Sequence, residues 1–134
     1  VTLLNIAAAC LLDTRGQLLL VRKRATRAFM LPGGKIEPGE EPLVALHREL
    51  HEELELQVGD IHLSPLGRYH APAANEAATE IDAHIFLARL SHPVRAAAEL
   101  EELRWHHPHH PDSADLAPLL RLHVLPALRQ LTAN

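Results

Sequence analysis

Residues 33–56 read GGKIEPGEEPLVALHRELHEELEL, and no other stretch of the chain so restricts what it can form. The glycine pair before Lys35 marks a tight turn. Pro42 suits the first turn of a helix, where its missing N–H costs nothing, and Glu40 and Glu41 suit the positive end of the helix dipole. These signals and the apolar repeat predict a helix over residues 41–54. At about 100° per residue, Leu43, Leu46, Leu50 and Leu54 share one core-facing stripe. Glu49, Glu52 and Glu53 share a neighbouring face. One helix thus carries a buried face and an adjoining acidic edge.

The segments around it supply the partners for that stripe. Residues 3–12 read as a buried strand, and Asp13-Thr14-Arg15-Gly16 as a turn into a second strand over 17–24, giving a hairpin. In the second strand, period two sets Leu18, Leu20, Arg22 and Arg24 on one face and Leu19, Val21 and Lys23 on the other. Further strands are predicted over 61–69, 80–90 and 102–106, with a loop, HAPAANEAAT, between the first two and a turn over 91–98. The run HHPHHP at 106–111 is a loop, because proline at that density cannot continue a helix or a central strand. Residues 115–131 read as helix with Leu116, Leu119, Leu120, Val124 and Leu128 as its stripe, kinked or divided at Pro126. Strands interleaved with two helical regions point to an α/β (α+β) sandwich, a mixed β-sheet flanked by helices, in a single domain over 1–134.

Composition narrows the function classes. Formal charge is −4 and the isoelectric point about 6.3, which argues against a protein that coats nucleic acid, so no stable nucleic-acid partner is expected. A nucleotide substrate stays compatible, because a bound metal inverts the local charge. The one cysteine, Cys10, excludes an internal disulfide and a cysteine-built zinc cage, and reads as a small apolar strand residue consistent with a reducing cytoplasm. The apolar start has no basic flank and reads as a strand in preference to a signal peptide, and the run 6–12 is too short to span a bilayer.

The acidic edge is where chemistry concentrates. An exposed acidic helix is the bland alternative, but these carboxylates border the core stripe and follow a glycine turn. Three carboxylates with a backbone carbonyl suit Mg²⁺ or Mn²⁺, hard ions that prefer oxygen. Gly33 and Gly34 let backbone approach phosphate or metal closely, Lys35 places a cation at the same point, and Arg48 can orient the acids through an ion pair. Arg22, Lys23, Arg24 and Arg27 form a basic cluster leading into the turn, with Arg22 and Arg24 read as phosphate-binding; a solvated strand end is the alternative.

Gly34, Glu40, Arg48-Glu49-Leu50, Glu52-Glu53 and Leu56 stand at the spacing GX5EX7REUXEEXGU, and the chain therefore resembles the Nudix family; Leu31-Pro32-Gly33-Gly34-Lys35-Ile36-Glu37 resembles its MutT-like branch. The single departure is Glu55 in place of the box glycine. A glutamate kept in that left-handed position costs about 1–2 kcal/mol; otherwise the helix ends differently. The resemblance implies a Nudix-like fold and a Mg²⁺-dependent (or Mn²⁺-dependent) pyrophosphohydrolase acting on a small-molecule nucleotide, a cytoplasmic monomer or homodimer. It implies Glu49, Glu52 and Glu53 as metal ligands, with Glu40 in support and the Gly33 carbonyl completing the shell. Gly34 and Lys35 would meet the diphosphate. A glutamate on a later loop is implied as a further ligand or base: Glu99 first, by its spacing to Trp105, then Glu102 and Glu76.

A (d)NTP cleaved to NMP and pyrophosphate is the leading substrate expectation. An ADP-ribose-type substrate is the alternative, carried by Pro72, which follows the box at about the distance seen in relatives of that specificity. A non-catalytic module that senses a nucleotide metabolite is the alternative from another class. His106, His107, His109 and His110 read as an exposed histidine loop in preference to a zinc site. Tyr69, Phe29 and Phe86 are candidates to stack a base, Phe86 with core packing as its default.

Overall fold

The structure is a computed structural model that describes residues 1–132. Six strands form one mixed sheet: β1 (Thr2–Leu12), β2 (Leu18–Lys23), β3 (Gly33–Lys35), β4 (Ser64–Pro72), β5 (Thr79–Arg89) and β6 (Leu100–His106). Its order is β4-β5-β1-β2-β6, with β3 also paired to β1. β1 runs parallel to β5 along its whole length, and the other pairings are antiparallel.

The predicted hairpin opens at once. Asp13 closes the turn by accepting from the amides of Arg15 (2.9 Å) and Gln17 (2.8 Å), yet β1 and β2 pair only at Leu12 and Leu18. The segment after Phe29 wedges between them. Met30 exchanges both backbone hydrogen bonds with Val21 at 2.8 Å, while Gly33, Gly34 and Lys35 pair with Ala8, Ala7 and Ile6. The fork between two strands therefore holds the glycine turn in the middle of the sheet.

Alternation along β1 and β2 divides the core. Ala7, Ala9, Leu11, Leu19 and Val21 face helix α1 (Pro42–Leu54); Ala8, Cys10, Leu12, Leu18 and Leu20 face the C-terminal helix. That helix begins near residue 118 and contains a π turn, Leu120–Val124, before α2 (Leu125–Leu131). The π turn is the physical answer to Pro126: widening the preceding turn separates its ring from the carbonyl it would otherwise strike. β4 starts three residues later than predicted, after a 3₁₀ turn at Val58–Asp60, and runs through Tyr69 to Pro72. It tolerates Pro65 and Pro72 because it lies at the edge of the sheet.

Helix α1 departs from its expected stripe at one position. Leu46, Leu50 and Leu54 are buried, joined by Ala45 and Glu53, but Leu43 is exposed. Glu53 falls near the middle of this buried arc, whereas Leu43, at an angle between those of Leu50 and Leu54, is exposed in the first turn of the helix. The helix ends in the left-handed conformation despite the missing glycine, with Glu55 at φ 58°, ψ 27°. The amide of Glu55 donates to His51 O (3.0 Å) and that of Leu56 to Leu50 O (3.3 Å). Leu56 is thereby carried into the core, and that apolar anchor keeps the turn in spite of its cost. Glu55→Gly removes the strain but enlarges the entropy of the unfolded chain. We expect a net stabilisation of about 1 kcal/mol, read by denaturant unfolding. Equal or lower stability would show that the left-handed glutamate carries no strain here.

Candidate active site

The glycine turn packs against β1 on one side and α1 on the other through two contacts that only glycine permits. Gly33 has φ 147°, and a Cβ there would overlap the Ala7 carbonyl oxygen and the Ala8 Cα of β1. A Cβ on Gly34 would overlap the carboxylate of Glu49. The absence of both side chains lets the Gly33 amide donate to Glu53 Oε1 at 3.0 Å in a buried hydrogen bond.

Glu53 is the one buried charged residue among the described residues, 2 % exposed. Burial is the main cause that pushes its pKa up, to about 8, against the bond from Gly33, with Glu49 and Glu99 adding to the rise and Lys23 opposing it. Burial also raises the Glu49 carboxyl, opposed by the hydrogen bond from Arg48 Nη1 at 2.8 Å. Glu52 faces outward, with Arg48 Nη1 at 3.9 Å.

Arg48 reaches across the acidic edge. Besides Glu49, it donates to both carboxylate oxygens of Glu40 (2.9 Å each) and to the Lys35 carbonyl (3.1 Å). Glu40 also accepts from the Glu37 amide at 2.8 Å, and its pKa falls to about 2, chiefly through Arg48. Both Glu40 oxygens are engaged with Arg48.

The later-loop candidates separate cleanly. Glu99 stands at the start of β6 on the α1 side, its Oε1 3.3 Å from Lys23 Nζ, and its charge is felt at Glu53. Glu102 lies opposite Arg22 in β6, paired with it at 3.1 Å. Glu76 sits in the loop between β4 and β5.

The basic cluster is used differently from its sequence reading. Arg22 binds Glu102 and the Thr26 carbonyl (2.8 Å), and Arg24 binds the Ala98 carbonyl (2.7 Å). Neither lines the cleft described below. Lys23, passed over as a site residue, occupies that position. Its place in the basic cluster, directly after Arg22, is the signal the sequence offers. Of the proposed base-stacking side chains, Phe29 is buried with the Arg104 guanidinium 3.7 Å from its ring centre, and Tyr69 stacks on His123. Phe86 packs against the core on the α1 side. In the histidine loop, His107 and His110 stack at 4.4 Å.

A cleft of about 270 Å³ opens beside the turn. Leu4, Ile6, Met30, Ile81 and Leu119 make its walls apolar, while Gly33, Gly34, Lys35 and Lys23 form its polar end. Pro72, Asn75 and Glu76 lie on its rim from the β4–β5 side.

A divalent cation fits the chemistry of the acidic cluster that meets Gly33 and Gly34 beside this polar end. Glu53 and Glu49 are carboxylates held in a place that disfavours their charge, and a cation would offset that cost. Among the described residues no three acidic, histidine or cysteine side chains already converge on one point. Glu53 is held by Gly33, Glu49 by Arg48, and Glu52 is turned to solvent.

The NUDIX domain family matches residues 2–128. The chain belongs to the Nudix hydrolase family. An RNA pyrophosphohydrolase of Francisella tularensis subsp. mediasiatica is 34% identical over 56 residues, 42% of this chain and 36% of that protein. The chain thus matches only about a third of the length of such curated relatives. Among solved structures, the MutT NUDIX hydrolase from Burkholderia pseudomallei superposes with TM-score 0.70 at 22% identity, covering 98% of this chain and 99% of that one. A C. elegans Ap4A hydrolase binary complex gives 0.70 at 17% identity, covering 97% and 96%. These likenesses show the shared fold. No helix among the described residues is long and apolar enough to cross a membrane.

The raised Glu53 pKa has a defined consequence for stability. An unfolded glutamate titrates near 4.5 and this one near 8, so between those values the folded protein holds the extra proton. The contribution of Glu53 to metal-free stability is therefore greatest below about pH 4.5 and is lost as pH rises through about 8. Glu40 and Asp115, lowered to about 2, act in the opposite sense and only at lower pH. In chelator, we expect the melting temperature to fall more between about pH 5 and pH 8.5 for the parent than for Glu53→Gln, by the equivalent of a few kcal/mol. Parallel melting curves across that range would contradict the burial account.

Proposed function

We propose that this protein is a cytoplasmic, Mg²⁺-dependent (or Mn²⁺-dependent) pyrophosphohydrolase that cleaves a diphosphate bridge in a nucleotide, with a (d)NTP cut to NMP and pyrophosphate as the leading substrate. The observation that carries this reading is the buried Glu53 carboxylate, tied to the Gly33 amide at the polar end of an apolar cleft. The apolar walls suit a nucleoside, and the glycine turn with Lys35 and Lys23 suits the phosphates that follow it.

Glu49, Glu52 and Glu53 would hold the metal, with the Gly33 carbonyl beside them. The metal would polarise phosphoryl oxygens and lower the pKa of water. Lys35 and Lys23 offset phosphate charge, and Gly34 allows its close approach. Arg48, braced by Glu40, keeps Glu49 from swinging away. Hydrolysis then requires a water oxygen to bond to one phosphorus while the bridging oxygen leaves with the bonding electron pair. The water proton passes to a carboxylate, and Glu99, held 3.3 Å from Lys23, is the acceptor assigned here.

A second reading, cleavage of ADP-ribose or a related nucleoside-diphosphate sugar, draws on Pro72, which lines the cleft. The partial match to RNA pyrophosphohydrolases favours an RNA substrate instead. A release assay with Mg²⁺ across dNTPs, oxidised dNTPs, ADP-ribose, NADH, dinucleoside polyphosphates and 5′-triphosphorylated RNA separates these. On the best substrate, Glu52→Gln and Glu53→Gln should each lower kcat by at least about 100-fold while remaining folded. Full activity in both variants would remove the proposal. No turnover of any compound, with nucleotide binding intact, would make the protein a binding module.

A further inference from the structure

The segment joining β5 to β6 is anchored close to the acidic cluster. Its Ala97 amide donates to the backbone carbonyl of Glu53 at 2.8 Å, and the Leu100 amide closes a turn onto Ala97 O at 3.1 Å. Leu100 is buried in the core that packs on α1. Between these anchors Ala98 adopts φ 53°, a left-handed conformation that costs a residue with a Cβ about 1–2 kcal/mol. Such a conformation persists only where the surroundings hold it. The next residue is Glu99.

Arg24 supplies that hold. Its guanidinium Nη2 donates to the Ala98 carbonyl at 2.7 Å, and its backbone amide donates to the Glu99 carbonyl at 2.9 Å. The preceding residue, Lys23, meets the Glu99 carboxylate at 3.3 Å. A register shift between Arg22 and Lys23, which pair with Glu102 and Leu100, lets adjacent residues of β2 grip both the backbone and the side chain of this turn.

We infer that Arg24 is a positioning residue: by holding the Ala98 carbonyl it keeps the strained turn that aims Glu99 at the acidic cluster. This rests on the role assigned to Glu99 under Proposed function. It differs from the phosphate contact that the sequence alone suggests for Arg24. Without the guanidinium, the left-handed Ala98 is free to relax and Glu99 can part from Lys23, while the cleft walls and Lys35 remain as they are.

The test is a double-mutant cycle of Arg24→Ala and Glu99→Gln on the best substrate. Arg24→Ala should lower kcat by about tenfold or more with KM within about twofold, and Arg24→Lys should recover part of the loss by donating one hydrogen bond. In the Glu99→Gln background, Arg24→Ala should have no further effect, because it acts through the group already removed. A raised KM with kcat unchanged, or losses that add fully, would overturn the inference and leave the proposed function standing. Full activity of Glu99→Gln would remove the role of Glu99 and this inference together. Amide hydrogen exchange gives a readout that needs no turnover: Arg24→Ala should speed exchange at Ala97 and leave α1 protected. Unchanged protection at Ala97 would overturn the inference whatever the protein hydrolyses.

Discussion

The hydrogen bond from the Gly33 amide to Glu53 is the constraint on which the rest of the site depends. It joins the glycine turn to α1 at a point closed to water and gives a buried carboxylate its direct partner. One such bond offsets only part of the cost of burying a charge, which is why the Glu53 pKa remains near 8. The remaining imbalance is what makes a cation favourable at this point.

Several features of the fold serve that bond. β1 and β2 separate after a single pair, so the wedge from Met30 to Lys35 can enter the sheet. Gly33 must be glycine to pass β1, and Gly34 must be glycine to admit Glu49. On the other side, the buried arc of α1 includes Glu53. Arg48 and Glu40 then form a charged brace at the rim, where both remain partly solvated and neither bears the full cost of burial.

Much of this was legible in the sequence because it rests on local rules. The helix over 41–54, the glycine turn, the acidic edge and the facing of β2 follow from period, capping and turn chemistry. What was not legible depends on distant partners. The burial of Glu53 and the exposure of Leu43 both follow from how α1 lies across the sheet. The shift of β4 to Ser64–Pro72 follows from its register with β5. Arg24 looked like a phosphate ligand because its neighbours in sequence are basic. Its actual partner, the Ala98 carbonyl, is brought to it by the pairing of β2 with β6. Glu55 shows both sides: its strain could be anticipated, whereas the burial of Leu56 that holds the turn could not be weighed without the core.

The most direct measurement is a carboxyl NMR titration of Glu53, first in chelator and then with Mg²⁺. The metal-free midpoint is expected near 8, with a clear fall once Mg²⁺ is added. A midpoint in the ordinary carboxylate range, unmoved by Mg²⁺, would contradict this expectation.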